Sequence, residues 1–385
     1  MRTKTKIKTF IFSLIAFIVG VVGGFGSYVL AFSPESDKLF SLASGDLSIH
    51  FLELGNRYAG DCIYIKANDK DILIDAGSLQ NSATTIINYV NQYCEDKKLE
   101  YLVATHAHQD HIAAFSSTAN RPGIFETYTV ETIIDFGQAS KYGLGGQTPS
   151  ATGVYSKYVE ARNKEVSEEN ANHIAVSDWG TDINNPAITT VFDLGEGITL
   201  KILYNHFYTH ATSDENDYSV CLLLTQGDTN ILLTGDLEEE GESLLVDNNP
   251  DLPECELFKA GHHGSKTSSS AKLLNKIKPK NVVFTCVAGA TEYTKDFDNV
   301  FPTKLALERI AQHTSNCYVT SLCTNTREDL ENKNYKQIGT FTSMNGDIVF
   351  ISNKDGYSIN CTNNNTLLKD TDWCKQYRPD IQWVA

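Results

Sequence analysis

Four residues able to hold a metal ion fall within six positions in His106-Ala107-His108-Gln109-Asp110-His111, in a chain of 385 residues with only ten histidines. Imidazole nitrogen and carboxylate oxygen are ligands for zinc-like ions. Alternate side chains of an extended segment share a face, so His106 and His108 can grip one ion together. Asp110 and His111 follow at a turn and can grip a second. Asp236 ends the apolar run of "ILLTGD", and its two oxygens suit it to bridge two cations. In "KAGHHGSKTS", His262 and His263 stand between glycines. If that segment is extended, the two point opposite ways, so one is a direct ligand and the other faces substrate. The plain alternatives are a polar loop of satisfied histidines and an ordinary turn aspartate. Glu238, Glu239 and Glu240 read as a solvated helix face. His206 and His210 are weaker candidates for a further ligand.

These residues need elements to carry them. "LSIHFLEL" and "DCIYIKAND" alternate as strands, and "KDILIDAGS" is a short apolar run ending at Asp75-Ala76-Gly77. "SATTIINYVNQYCEDKK" has helical spacing. "LEYLVATHAHQDH" runs from strand into the histidines, and "IAAFSSTA" reads as a helix start. "KYGLGGQTPSATG" reads as a loop and "VYSKYVEARNKEV" as an exposed helix. Strand patterns resume after Ile188 and lead to Asp236 and to the histidine pair. The end, "GTFTSMNGDIVFISNKDGYSIN", reads as a hairpin turning at Asn345-Gly346. Two groups of strands with helices between them predict a layered α/β domain.

The N-terminus carries Arg2, Lys4, Lys6 and Lys8, and no acid before Glu35. Residues 10–32 are apolar and long enough to span a bilayer, with the basic flank inside and the rest of the chain outside. A leader cleaved near Ala31 is the alternative. The expected organisation is a basic segment (1–9), an anchor (10–32), a linker (33–47), an α/β domain (48–355) and a tail (356–385). Net charge is −16, and the first 34 residues contribute +4, leaving −20 on the rest. Such a body repels polyanions and argues against tight non-specific nucleic-acid binding. Of nine cysteines, Cys62, Cys221 and Cys286 sit in apolar runs and read as core thiols. Cys317, Cys323, Cys361 and Cys374 cluster late, where one or two disulfides would fit an extracytoplasmic protein.

The runs "IHFLEL", "ILIDAGS", "ATHAHQDHIAAF", "NDYSVCLLL", "LLTGDLE" and "KAGHHGSKTS" resemble the metallo-β-lactamase superfamily. Within it they are most similar to the hydrolase domain of ComEC-type DNA-uptake proteins and to phosphorylcholine esterases. The resemblance implies an α/β fold, the αββα sandwich, preceded here by one transmembrane helix. It implies two divalent ions, zinc or manganese. His106 and His108 would hold the first, Asp110, His111 and His263 the second, and Asp236 both. Asp75 would support the ligands from behind, and Asn216 and Ser219 match an Asn-x-x-Ser pattern beside the site. His262 would meet the substrate and act in catalysis with Asp110 and Asp236. Two departures stand out. The further histidine ligand of many members is missing, and Phe301 precedes Pro302 where ComEC-type sequences have histidine. The implied activity is extracytoplasmic hydrolysis of a phosphodiester, in nucleic acid or a phosphate-bearing surface polymer. A lactonase or β-lactamase-like hydrolase, or a non-catalytic module, are the alternatives.

Overall fold

Apolar residues at every second position need a partner layer on one face, and unbroken apolar runs need one on both. The computed structural model describes residues 46–136, 153–179, 190–294, 296–323 and 341–384, and sorts both patterns into two eight-stranded sheets. Strands β1 (Leu47–Phe51), β2 (Ile63–Ala67), β3 (Lys70–Ile74), β4 (Lys98–Ala104), β5 (Thr129–Asp135) and β6 (Asn172–Ala175) lie in the first sheet. The second holds β7 (Val191–Gly195), β8 (Ile198–Ile202), β9 (Leu222–Gln226), β10 (Thr229–Leu233), β11 (Leu257–Lys259), β12 (Asn281–Ala288), β13 (Cys317–Cys323) and β14 (Phe341–Ser343). The chain then returns to the first sheet with β15 (Ile348–Asn353) and β16 (Gly356–Cys361), giving the order 16-15-1-2-3-4-5-6.

The second sheet is buried on both faces, which explains its continuous apolar runs. Leu222, Leu224, Ile231, Leu233, Leu257 and Val283 point into a core shared with the first sheet. Their neighbours Leu223, Leu232, Phe258, Val282 and Phe284 point the other way. There they meet helices α4 (Glu239–Asn248), α5 (Ala271–Ile277), α6 (Lys304–Ile310) and α7 (Asp372–Tyr377). On the first sheet, Ile49 enters the shared core while His50 faces away and bonds the Tyr89 hydroxyl of α1 (Ser82–Val90) at 2.8 Å. The layers are therefore helix, sheet, sheet, helix. Each fully buried Leu or Phe contributes about 1.5–3 kcal/mol of transfer free energy, so the double burial is the main source of cohesion.

Several sequence expectations change. The run after His111 is not a helix start: α2 is Gln109–Ile112 and ends there. The exposed helix of the middle segment is α3, Val154–Glu168. Asn345-Gly346 is not a hairpin turn. It carries the chain from β14 in one sheet to β15 in the other, and the final hairpin, β15 with β16, turns at Lys354-Asp355. Asn345 is buried there because its amide accepts from Val319 N and donates to Asn364 O and Thr366 O. The boundary expected after residue 355 falls inside that hairpin, and Leu368, Trp373, Cys374 and Ile381 lie in the second core. All nine cysteines are free thiols, so no disulfide joins the late four. The anchor (10–32) and the loop at 141–152 lie outside the described residues. Among the described residues no helix is long and apolar enough to cross a membrane.

Candidate metal centre

Strands β3, β4 and β5 run parallel in one sheet, and β10, β11 and β12 run parallel in the other. Their C-terminal ends deliver Asp75, His106, Asp236 and His262–His263. The start of β9 adds Asn216 and Ser219, and the start of β2 adds Asp61. A bond from Val220 N to Thr105 O, 2.9 Å, ties the two sheets together at this place.

Two nitrogens and two oxygens converge at the centre. His111 Nε2 lies 3.1 Å and His263 Nε2 3.3 Å from Asp236 Oδ2, and His263 Nε2 lies 3.5 Å from Asp110 Oδ2. These four residues offer ligand atoms within 4.8 Å of one another. Beside them, His106 Nε2 and His108 Nδ1 face each other at 3.1 Å. That pair comes together as the alternation of side chains predicts.

The rings are held from behind. Asp75 accepts from Thr105 N at 2.8 Å and from Thr105 Oγ1 at 2.8 Å, and pairs with His111 Nδ1 at 2.7 Å. His263 Nδ1 donates to Thr285 O at 3.0 Å. Both rings therefore turn Nε2 inward, and both Nε2 atoms are buried without a hydrogen-bond partner. An unsatisfied buried polar atom costs about 1–3 kcal/mol. A divalent cation is the group that this nitrogen and carboxylate set fits, and it would satisfy both. Burial pushes His106 well below its ordinary pKa.

Glycine is required at the close approach of two loops. A Cβ on Gly77 would lie 1.4 Å from the Asp110 carbonyl oxygen. In the Thr-Gly turn, Gly235 has φ +55° and a Cβ there would meet Ser219 Oγ at 2.9 Å. Ser219 Oγ in turn accepts from Asp236 N at 3.1 Å and sits 3.5 Å from His106 Nδ1, so it spans the two halves of the site.

The histidine pair is not extended. His262 (φ 47°, ψ 50°) and His263 (φ 54°, ψ 18°) both occupy the left-handed region, at a strain of order 1–3 kcal/mol each. The rings still diverge, with an interplanar angle of 68°. His263 is fully buried in the cluster, while the His262 side chain keeps 23% of its exposure and its Nε2 stands 3.9 Å from Asp236 Oδ2. His262 Nδ1 bonds Glu238 Oε1 at 3.1 Å. Glu238 Oε1 also accepts from Thr267 Oγ1 at 2.7 Å and Asn216 Nδ2 at 3.1 Å. Burial works against this charge, but the bonds from His262 and Thr267 hold Glu238 down at about 2. Glu238 is thus no solvated residue; of the three, Glu239 and Glu240 are the exposed ones. His206 and His210 stack on each other, centroids 3.8 Å apart, outside the ligand group.

Two functional residues escape the sequence. Lys259 is fully buried; its Nζ pairs with Asp61 Oδ2, reaches Asp236 Oδ1 at 3.3 Å and donates to Gly235 O at 3.2 Å. Burial works against its charge, but Asp61 and Asp236 hold it above its ordinary value. Burial also pushes Asp236 up, yet His111, His263 and Lys259 hold it well below the usual carboxylate range. Asp236 thus sets Oδ1 toward Lys259 and Oδ2 toward His111 and His263. Asp61 closes the set, accepting from Thr285 Oγ1 and standing 3.3 Å from His263 Nδ1.

Residues 55–181 match the family described as the Metallo-beta-lactamase superfamily. Over these residues the chain is similar to that superfamily. Among curated proteins it is 34% identical over 84 residues to Recombination protein 2 of Haemophilus influenzae, covering 22% of this chain and 10% of that protein. It is 32% identical over 92 residues to ComE operon protein 3 of Bacillus subtilis, covering 23% and 12%. Competence protein ComA of Neisseria gonorrhoeae matches at 23% over 254 residues, 66% of this chain and 28% of that one. The chain thus spans between 10% and 28% of the length of these relatives, which place it near the ComEC type. Among solved structures, the metallo-beta-lactamase fold protein YhfI from Bacillus subtilis aligns at 12% identity and TM-score 0.39, over 70% of this chain and 95% of that one.

Proposed function

We propose that this chain is a binuclear phosphodiesterase acting outside the cell. The observation that carries it is the convergence of the His111 and His263 Nε2 atoms on Asp110 and Asp236, beside the His106–His108 pair. Asp110, His111 and His263 would hold one ion and His106 and His108 the other, with Asp236 shared. Two divalent ions, zinc or manganese, would supply Lewis-acid charge against the phosphoryl oxygens and activate water. A two-ion clamp suits in-line displacement at phosphorus, which favours a phosphodiester over an amide or lactone. The chain's own part is to fix the geometry. Asp75 and Thr285 O set the rings of His111 and His263, and Lys259 holds Asp236. His262, its Nδ1 fixed on Glu238 and its partly exposed ring beside Asp236, donates a hydrogen bond or a proton to the leaving oxygen.

The remaining features fit an anchored enzyme. Residues 10–32 would hold it in the membrane, with the acidic body, −20 without the first 34 residues, outside. That charge favours a substrate recognised at the site over a polyanion gripped along its length.

The test is hydrolysis of bis-p-nitrophenyl phosphate, nitrocefin and a lactone side by side, by wild type and His262→Ala. The phosphodiester should be cleaved fastest, and His262→Ala should keep its metal while turnover falls about 10²–10⁴-fold. Preference for nitrocefin or the lactone would overturn the substrate class. Full turnover in His262→Ala would remove its role.

A further inference from the structure

The segment between β12 and α6 brings an aromatic residue over the ligand cluster. Glu292 Oε2 accepts from Ala59 N at 2.8 Å, tying this segment to the loop that carries Asp61. The next residue, Tyr293, directs its hydroxyl to Asp110 Oδ2 at 3.3 Å. Its ring is 5.6 Å from Phe301, whose ring lies 5.8 Å from His262 and 6.0 Å from His263. These four rings thus form one wall from solvent to the cluster. Tyr293 is nevertheless 59% exposed.

Two features separate this tyrosine from a supporting residue. The hydroxyl stands 3.3 Å from Asp110 Oδ2, longer than the usual O–H to carboxylate bond of about 2.5–2.7 Å, and also bonds the Glu292 carboxylate, so a substrate oxygen would take over a proton that two carboxylates share at the edge of the cluster. A large aromatic face left in water beside a polar site also favours ligand contact, because it gains burial only when something covers it.

We propose that Tyr293 is a substrate-contacting residue. Its hydroxyl donates to a non-bridging phosphoryl oxygen, and its ring, backed by Phe301, carries an apolar or planar face of the esterified group. The proposal rests on the phosphodiester reading above and deepens it. It names a donor on the Asp110 side of the site, separated from His262 by Phe301, and it selects diesters with such a face over small polar ones.

The test uses the full chain, reloaded with metal, as wild type, Tyr293→Phe and Tyr293→Leu. Metal content, melting temperature, inorganic phosphate affinity by calorimetry, and kcat and KM for bis-p-nitrophenyl phosphate are measured. Tyr293→Phe should keep metal and melting temperature, bind phosphate about 10-fold more weakly and lose about 10- to 100-fold in kcat/KM. Tyr293→Leu should in addition raise KM for the nitrophenyl ester. Wild-type phosphate affinity and kcat/KM in Tyr293→Phe would overturn the proposal, as would loss of metal, which would make the residue a support for Asp110. If the wild type binds phosphate but cleaves no diester, the phosphodiester reading fails, and the phosphate titration alone decides the role of Tyr293.

Discussion

Lys259 shows how the site is held together at the scale of single residues. Its ammonium sits between Asp61 and Asp236, all three almost wholly buried. Removing one partner of a buried ion pair leaves uncompensated charge and costs about 3–5 kcal/mol. Lys259→Met should therefore lower the melting temperature even of the metal-stripped protein, where no ion is left to lose. Thermal denaturation in excess chelator checks this, and an unchanged midpoint would show the pair to be dispensable. The sequence exposes the ligands because they are dense: four in six positions is a pattern. Lys259 and Asp61 are single residues in a strand and an irregular loop, and only the fold brings them together. Glu238 is misread for a related reason. It shares its stretch with two solvated glutamates, and nothing local says that it turns toward His262.

At the scale of elements, the strands are legible and their partners are not. Burial on both faces leaves an apolar run, and the run survives in the sequence as "NILL" and "NVVFTCVA". The Asn345-Gly346 turn misleads because a turn signal fixes a bend, not which sheet the next strand joins. Helix α4 carries a second consequence of burial. Glu242 is fully buried, with its two oxygens accepting from Ser269 N and Ser270 N at 2.6 Å each, at the start of α5. Burial, the largest influence, raises its carboxyl from 4.5 to about 7. A raised folded-state value means that the folded protein holds the proton more tightly. This contribution is fully present below pH 4.5 and is lost as pH rises to 7. Relative to Glu242→Gln, wild type should lose up to about 3 kcal/mol of stability between pH 4.5 and 8. Denaturant melts of both proteins at pH 5 and pH 8 measure it. Parallel behaviour would show that the carboxyl ionises equally in both states.

At the scale of the whole molecule, two sheets packed face to face place the ends of six parallel strands at one edge, three from each sheet. Neither sheet makes the site alone: Asp75, His106 and His111 come from the first, Asp236 and His263 from the second. The candidate ligands and their grouping at one site were legible from the resemblance; the strand ends that bring them together were not. The proposed orientation of the chain is a separate matter, checked by protease treatment of intact cells, which should remove the body if it lies outside. The central claim is that this cluster holds the ions on which hydrolysis depends. The protein should be stripped with chelator and titrated with zinc or manganese, with bound ions and bis-p-nitrophenyl phosphate turnover followed together in wild type and Asp236→Asn. The account predicts about two ions per wild-type chain, activity returning as they bind, and clear loss of both in the variant. Full turnover in the stripped protein, or unchanged metal content in Asp236→Asn, would contradict it.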